Sequence, residues 1–130
     1  MNETITNRRL ELRPGELEIV REILRRHVPN REVWAFGSRV KGTARPYSDL
    51  DLAVLGDQPL PLLVRAELAE EFSESDLPFK VDIVDWATTS ERFRQIIESE
   101  YVVLPLDRTV EEVKKLGATS PKRLRKGDAQ

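Results

Sequence analysis

Apolar residues fall along this chain in blocks whose spacing switches between helical and extended. Leu17, Val20, Ile23, Leu24 and Val28 recur at three- and four-residue steps and share one face, which predicts a helix from Pro14 to about His27. Pro14 suits an early helical position, where its missing N–H costs nothing, and Pro29-Asn30 ends the element. Glu32 to Phe36 reads as a short strand, rich in β-branched and aromatic residues, that runs straight into Gly37-Ser38. Arg39-Val40-Lys41 forms a helical turn closed by Gly42, and Thr43 to Ser48 is a loop. Asp49 to Leu55 is a second strand, followed by a turn at Gly56-Asp57-Gln58-Pro59. A second long helix covers Leu62 to Ser73, with Leu63, Ala66, Ala69 and Phe72 expected to face inward. Phe79 to Trp86 is the third strand. Thr88 with Glu91 three positions later reads as a capping box, opening a helix that carries Phe93, Ile96 and Ile97 to about Glu100. Tyr101 to Leu104 is read as a short edge strand. The order predicts an α/β (α+β) fold, a small mixed sheet flanked by helices.

A chain of 130 residues suits one domain, and 39% hydrophobic residues suffice for one modest core. No cysteine is present, which excludes a disulfide framework and a thiolate metal site. No run of 18 apolar residues marks a membrane span, and the N-terminus lacks the layout of a signal peptide. A cytoplasmic protein is therefore expected. The net charge of −2 is unevenly spread. Lys114, Lys115, Lys122, Arg123, Arg125 and Lys126 cluster without an acid between them, which leaves the rest of the chain distinctly acidic. That distribution speaks against nucleic-acid binding by the folded part. The expected division is a domain over 1–106 and a basic, disordered tail over 107–130.

The second strand changes this picture of an ordinary small domain. Asp49, Asp51, Ala53 and Leu55 share one face, and Leu50, Leu52 and Val54 the other. Two carboxylates this close repel each other by roughly 1–4 kcal/mol, a cost that a divalent cation between them offsets. Magnesium takes such hard oxygen ligands together with substrate phosphates. Upstream, Gly37 has no Cβ, so a phosphate can approach the backbone closely, and the helical turn after it presents free N–H groups. Ser38 adds a hydroxyl. Arg39 and Lys41 are candidates to offset triphosphate charge, with plain solvation as the alternative, and Ser48 is a weaker phosphate candidate. Asp82 lies among the strand-forming residues of Val81-Asp82-Ile83-Val84, where an acid needs a partner. On a strand beside the second it joins Asp49 and Asp51 around a metal, and it can accept the proton of an attacking hydroxyl. Asp85 points to the opposite face and reads as structural or solvated. Trp34 and Trp86 read as packing residues. Such a set of parts matches a two-metal scheme for nucleotidyl transfer.

The segments Trp34-Ala-Phe-Gly-Ser-Arg-Val-Lys-Gly, Tyr47-Ser-Asp-Leu-Asp-Leu-Ala-Val-Leu and Val81-Asp-Ile-Val-Asp-Trp resemble the minimal nucleotidyltransferases of the DNA polymerase β superfamily. The resemblance spans about Leu17 to Leu104. It implies a polymerase β-like fold, ATP bound through Gly37 and Ser38, magnesium held by Asp49 and Asp51, and Asp82 as the third acid. Members are commonly antitoxins of a small helical HEPN ribonuclease encoded alongside, and some silence it by moving AMP from ATP to one of its tyrosines. About 105 folded residues hold only the triphosphate half of such a site, so the acceptor hydroxyl is expected from a partner. Two other readings stay open at this point: a binding module that neutralises its partner without turnover, and a nucleotidyltransferase for a small-molecule hydroxyl. Arg21 and His27 are spaced like the catalytic pair of HEPN ribonucleases but lie on the first helix of an α/β chain. His27 is read there as a helix-end charge.

Overall fold

A computed structural model describes residues 10–106; the expected basic tail lies outside the described residues. Helix α1 spans Pro14–His27, strand β1 Val33–Phe36, helix α2 Ser38–Lys41 and strand β2 Leu50–Val54. Helix α3 (Leu62–Ser73), strand β3 (Val81–Asp85), a 3-10 turn at Trp86–Thr88, helix α4 (Glu91–Ser99) and strand β4 (Val102–Leu104) follow. The sheet order is β3-β2-β1-β4. β1 runs antiparallel to both β2 and β4, whereas β2 and β3 are parallel and joined through α3. A parallel pair needs such a long crossover. The expected mixed sheet flanked by helices, with a short edge strand at the end, is what the chain forms.

The two faces of the sheet differ in kind. Leu50, Leu52 and Val54 of β2 are fully buried on one face, in a core with Val20, Ile23 and Leu24 of α1 and Leu68 and Phe72 of α3. The segment before α1 also belongs to it through Leu10 and Leu12. On the other face a smaller cluster joins Phe36, Ala53 and Ile97, with Trp34, Trp86 and Tyr101 packed against it. Trp34 stacks on Tyr101 at 3.9 Å between centroids and meets Trp86 edge-on at 5.3 Å, so both tryptophans are packing residues. α1 and α3 are tied by His27, whose Nε2 lies 2.6 Å from Glu71 Oε1, and by an Arg26–Glu71 ion pair. The His27 hydrogen bond foremost, and then Arg26, hold the Glu71 carboxyl below its ordinary range.

Several local expectations are corrected. The inward stripe of α3 is Val64, Leu68 and Phe72, whereas Leu63 is 67% exposed and Ala66 and Ala69 are also on the outside. With apolar residues nearly all round this helix, spacing alone did not select a face; docking on α1 and the sheet does. Ser90, not Thr88, caps α4: its Oγ accepts the Phe93 N–H at 3.1 Å. Thr88 instead lies in the 3-10 turn, where its hydroxyl donates to Asp85 O. β3 begins only at Val81, after a bend at Phe79, whose ring lies under Arg39, and it ends at Asp85 before Trp86. Of the three apolar residues expected on α4, only Ile97 is fully buried; Ile96 is 54% exposed.

The corrected α3 face has a direct check. Leu68→Ala should cost about 2–5 kcal/mol in denaturant unfolding, as buried leucines do. Leu63→Ala should stay within about 0.5 kcal/mol, as exposed positions do. Equal losses would restore the original stripe.

Candidate active site

Strand geometry assembles the acids. In the parallel register Asp51 lies directly abreast of Asp82, and across the antiparallel pair it faces Phe36, the residue before Gly37. Asp49 is exposed just before β2 rather than inside it. Asp51 is half-buried, and its carboxyl is pushed up to about 6, mainly by burial, then by Asp82 and then by Asp49. Thus Asp51 senses the charges of the other two acids. Their side chains are not drawn into a ready-made metal cage: no group of three metal-ligating side chains is gathered among the described residues. Like charges do not close on one another unaided. The donor set itself, hard carboxylate oxygens held in mutual repulsion at one end of a sheet, fits magnesium.

Gly37 adopts φ +86°, a conformation that residues with a Cβ rarely adopt, and a Cβ there would overlap Asp51 Oδ2. Glycine is therefore required twice over, for the backbone turn and for the close approach to the acid. Ser38 opens α2, which ends at Gly42 in the left-handed conformation. Lys41 is exposed at the end of that helix.

Two of the nucleotide-binding candidates do something else. Arg39 is buried at 5% exposure, with its guanidinium donating to four backbone carbonyls. Nε bonds Ser48 O at 3.0 Å, Nη1 bonds Glu11 O at 2.8 Å, and Nη2 bonds Arg45 O at 3.2 Å and Pro46 O at 3.0 Å. Its Cζ sits 4.0 Å over the Phe79 ring. A cation used in this way cannot reach out to a triphosphate. It clamps the loop before Asp49 to α2 and to the chain just before β3. Ser48 closes that same loop, its Oγ accepting the Arg45 N–H at 2.8 Å. Sequence reading missed this clamp because a loop's carbonyls leave no trace in residue type.

Asp85 is structural, as expected. It is 5% exposed, and its Oδ2 accepts the Leu60 N–H at 2.8 Å. A neighbour that sequence reading passed over is Lys80, whose Nζ lies 3.9 Å from Asp82 Oδ1. Its two-residue step to Asp82, which puts both on one side of an extended chain, was the available signal.

The structure thus brings the Gly-Ser turn against one acid of the expected cluster. The family model for the nucleotidyltransferase domain matches residues 17–116, and the chain belongs to that family. The matched span runs past the boundary expected at residue 106. A probable protein adenylyltransferase MntA of Haemophilus influenzae is 57% identical over 104 residues, covering 79% of this chain and 91% of that protein. The protein adenylyltransferase MntA of Shewanella oneidensis is 37% identical over 70 residues, 53% of this chain and 50% of that one. Among solved structures, a chain of a toxin-antitoxin complex with AMP-PNP superposes with a TM-score of 0.59 at 29% identity, covering 78% of this chain and 84% of that one. A chain of the tri-AMPylated Shewanella oneidensis HEPN toxin in complex with MNT antitoxin matches at 28% identity and a TM-score of 0.52, with the same coverages of 78% and 84%. The expected fold and class are both borne out: the chain is a nucleotidyltransferase. No helix among the described residues is long and apolar enough to cross a membrane.

Two measurements probe the site directly. Gly37→Ala should cost about 1–3 kcal/mol from backbone strain, and more from the overlap with Asp51, read by denaturant unfolding. Asp51 binds its proton more tightly folded than unfolded. Its contribution to stability therefore falls as pH rises from about 4 to about 6. Asp51→Asn in metal-free buffer should accordingly raise the melting temperature at pH 8 and leave it nearly unchanged at pH 4. The reverse pH trend would contradict the burial of Asp51 beside the other acids.

Proposed function

We propose that this protein is a magnesium-dependent protein adenylyltransferase. It moves AMP from ATP to a hydroxyl, that of a tyrosine, on a helical HEPN-family toxin and thereby acts as its antitoxin. One observation carries the reading: Asp51 is held with Gly37 against one side and Asp82 against the other. The similar proteins named adenylyltransferases, and the AMPylated HEPN toxin seen with an MNT antitoxin, support the choice of transferred group and partner. The AMP-PNP complex supports ATP as the donor.

The roles follow from position. Gly37 and Ser38, with Lys41 beside them, receive the triphosphate through backbone N–H, hydroxyl and ammonium donors. Asp49 and Asp51, joined by Asp82, would hold magnesium, in one or two ions, which when bound supplies the positive charge that the triphosphate and the leaving pyrophosphate require. Asp82 accepts the proton of the attacking hydroxyl. The acceptor oxygen bonds to the α-phosphorus, the bond from that phosphorus to the bridging oxygen breaks, and pyrophosphate leaves with the electron pair. No covalent enzyme intermediate is needed, because positioning and charge stabilisation carry the barrier reduction. Arg39 and Ser48 contribute by fixing the loop that delivers Asp49. A protein that draws on ATP in this way works in the cytoplasm.

Label from α-labelled ATP should appear on the helical protein encoded beside this chain when magnesium is present. Asp49→Asn should lower that transfer by at least about a hundredfold, in the range lost when charge stabilisation fails. A tight complex without label would instead leave a neutralising binding protein.

A further inference from the structure

The site as described holds a triphosphate and leaves the nucleoside without a place. Asp51 lies directly across from Phe36 in the antiparallel pair and abreast of Asp82 in the parallel one. Residues paired in this way share a face of the sheet, so Phe36, Asp51 and Asp82 stand on one side. It is the side opposite the buried Leu50, Leu52 and Val54, and α4 packs on it, with Ile97 in one cluster with Phe36 and Ala53. Phe93, one turn before Ile97, meets Phe36 edge-on at 5.9 Å between ring centroids. It is nonetheless 37% exposed, and Ile96, three residues on, is 54% exposed. The other flank of α4 is committed to packing: Arg94 donates from Nε and Nη2 to Trp86 O, and its Cζ lies 5.0 Å over the Trp86 ring. What stays open is an apolar ledge of one ring and one branched side chain. Its anchor is Phe36, the cross-strand partner of Asp51 and chain neighbour of Gly37.

We infer that this ledge is the base subsite: the adenine of ATP stacks on Phe93, with Ile96 beside it. The inference rests on the adenylyltransfer reading above. Nucleotidyl displacement runs in line, with attacking and leaving oxygens on opposite sides of the phosphorus. With pyrophosphate held at Gly37 and Ser38 and the hydroxyl met by Asp82, that line crosses the strands from β1 to β3. The nucleoside is joined through one of the other oxygens of the α-phosphorus and therefore leaves to the side of the line. On the face that carries Asp51 and Asp82, the helix standing there is α4. Phe93 is anchored on β1, which lies beyond β2 from Asp82 and its strand. That sets the ring with the donor nucleotide rather than with the acceptor. A base offers a flat π-face, which an exposed aromatic ring matches without any polar group. Because Phe36 already holds the ring, little of its freedom is lost when a base settles on it.

Phe93→Leu keeps an apolar contact with Phe36 and removes the ring. In the full chain it should weaken binding of a non-hydrolysable ATP analogue with magnesium by about tenfold, read by calorimetry, as loss of one base–aromatic stack does. Affinity for magnesium tripolyphosphate, which has no base, should match the wild type, and Phe93→Trp should bind the analogue at least as well as the wild type. The triphosphate of 2-aminopurine riboside gives a second readout, independent of turnover, because stacking quenches its fluorescence. At saturation the quenching should be strong on the wild type and weak on Phe93→Leu. Unchanged analogue affinity in Phe93→Leu, or a loss shared equally by tripolyphosphate, overturns the subsite. So does weakened toxin binding at unchanged analogue affinity, which would make the ledge a protein contact. Failure of the wild type to label the toxin, with analogue binding still dependent on the Phe93 ring, would sink the adenylyltransfer reading and leave the base subsite standing.

Discussion

The parallel pairing of β2 with β3 sets Asp82 abreast of Asp51, and the site depends on that register. A slip of one residue would turn Asp82 away and bring an apolar neighbour in its place. What holds the register is on the opposite face. Leu50, Leu52 and Val54 are wholly buried against α1 and α3, so a one-residue shift of β2 would expose them. The core thereby stabilises a set of carboxylates that by themselves repel one another. Burial foremost, and then the charges of Asp82 and Asp49, raise the proton affinity of Asp51.

A second constraint acts through backbone rather than charge. Arg39 spends its guanidinium on the carbonyls of Glu11, Arg45, Pro46 and Ser48, and stacks on Phe79. It thus ties the residue after the Gly-Ser turn to the loop before Asp49 and to the chain just before β3. Burial of a cation without a carboxylate is tolerated because four carbonyl dipoles replace its water. Three segments that carry the candidate site residues are held at one spacing by a single side chain. Gly37 completes the arrangement by letting the turn approach Asp51 without a Cβ between them.

Much of this was legible before folding was considered. Alternation along Asp49–Leu55 assigned the acids to one face and the leucines to the other, because strand side chains must alternate. The bounds of α1 and α3, the Gly-Ser turn and the third acid followed from local chemistry as well. Tertiary structure alone decided which side of α3 faces inward, since a helix apolar on several sides takes its face from what it docks against. It also turned Arg39 from an apparent phosphate ligand into a loop clamp, and it made Ser90 rather than Thr88 the cap of α4. Residue type and spacing determine what a side chain can do and which neighbours in the chain share its face. Which distant carbonyls, rings or strands it meets depends on how the elements pack.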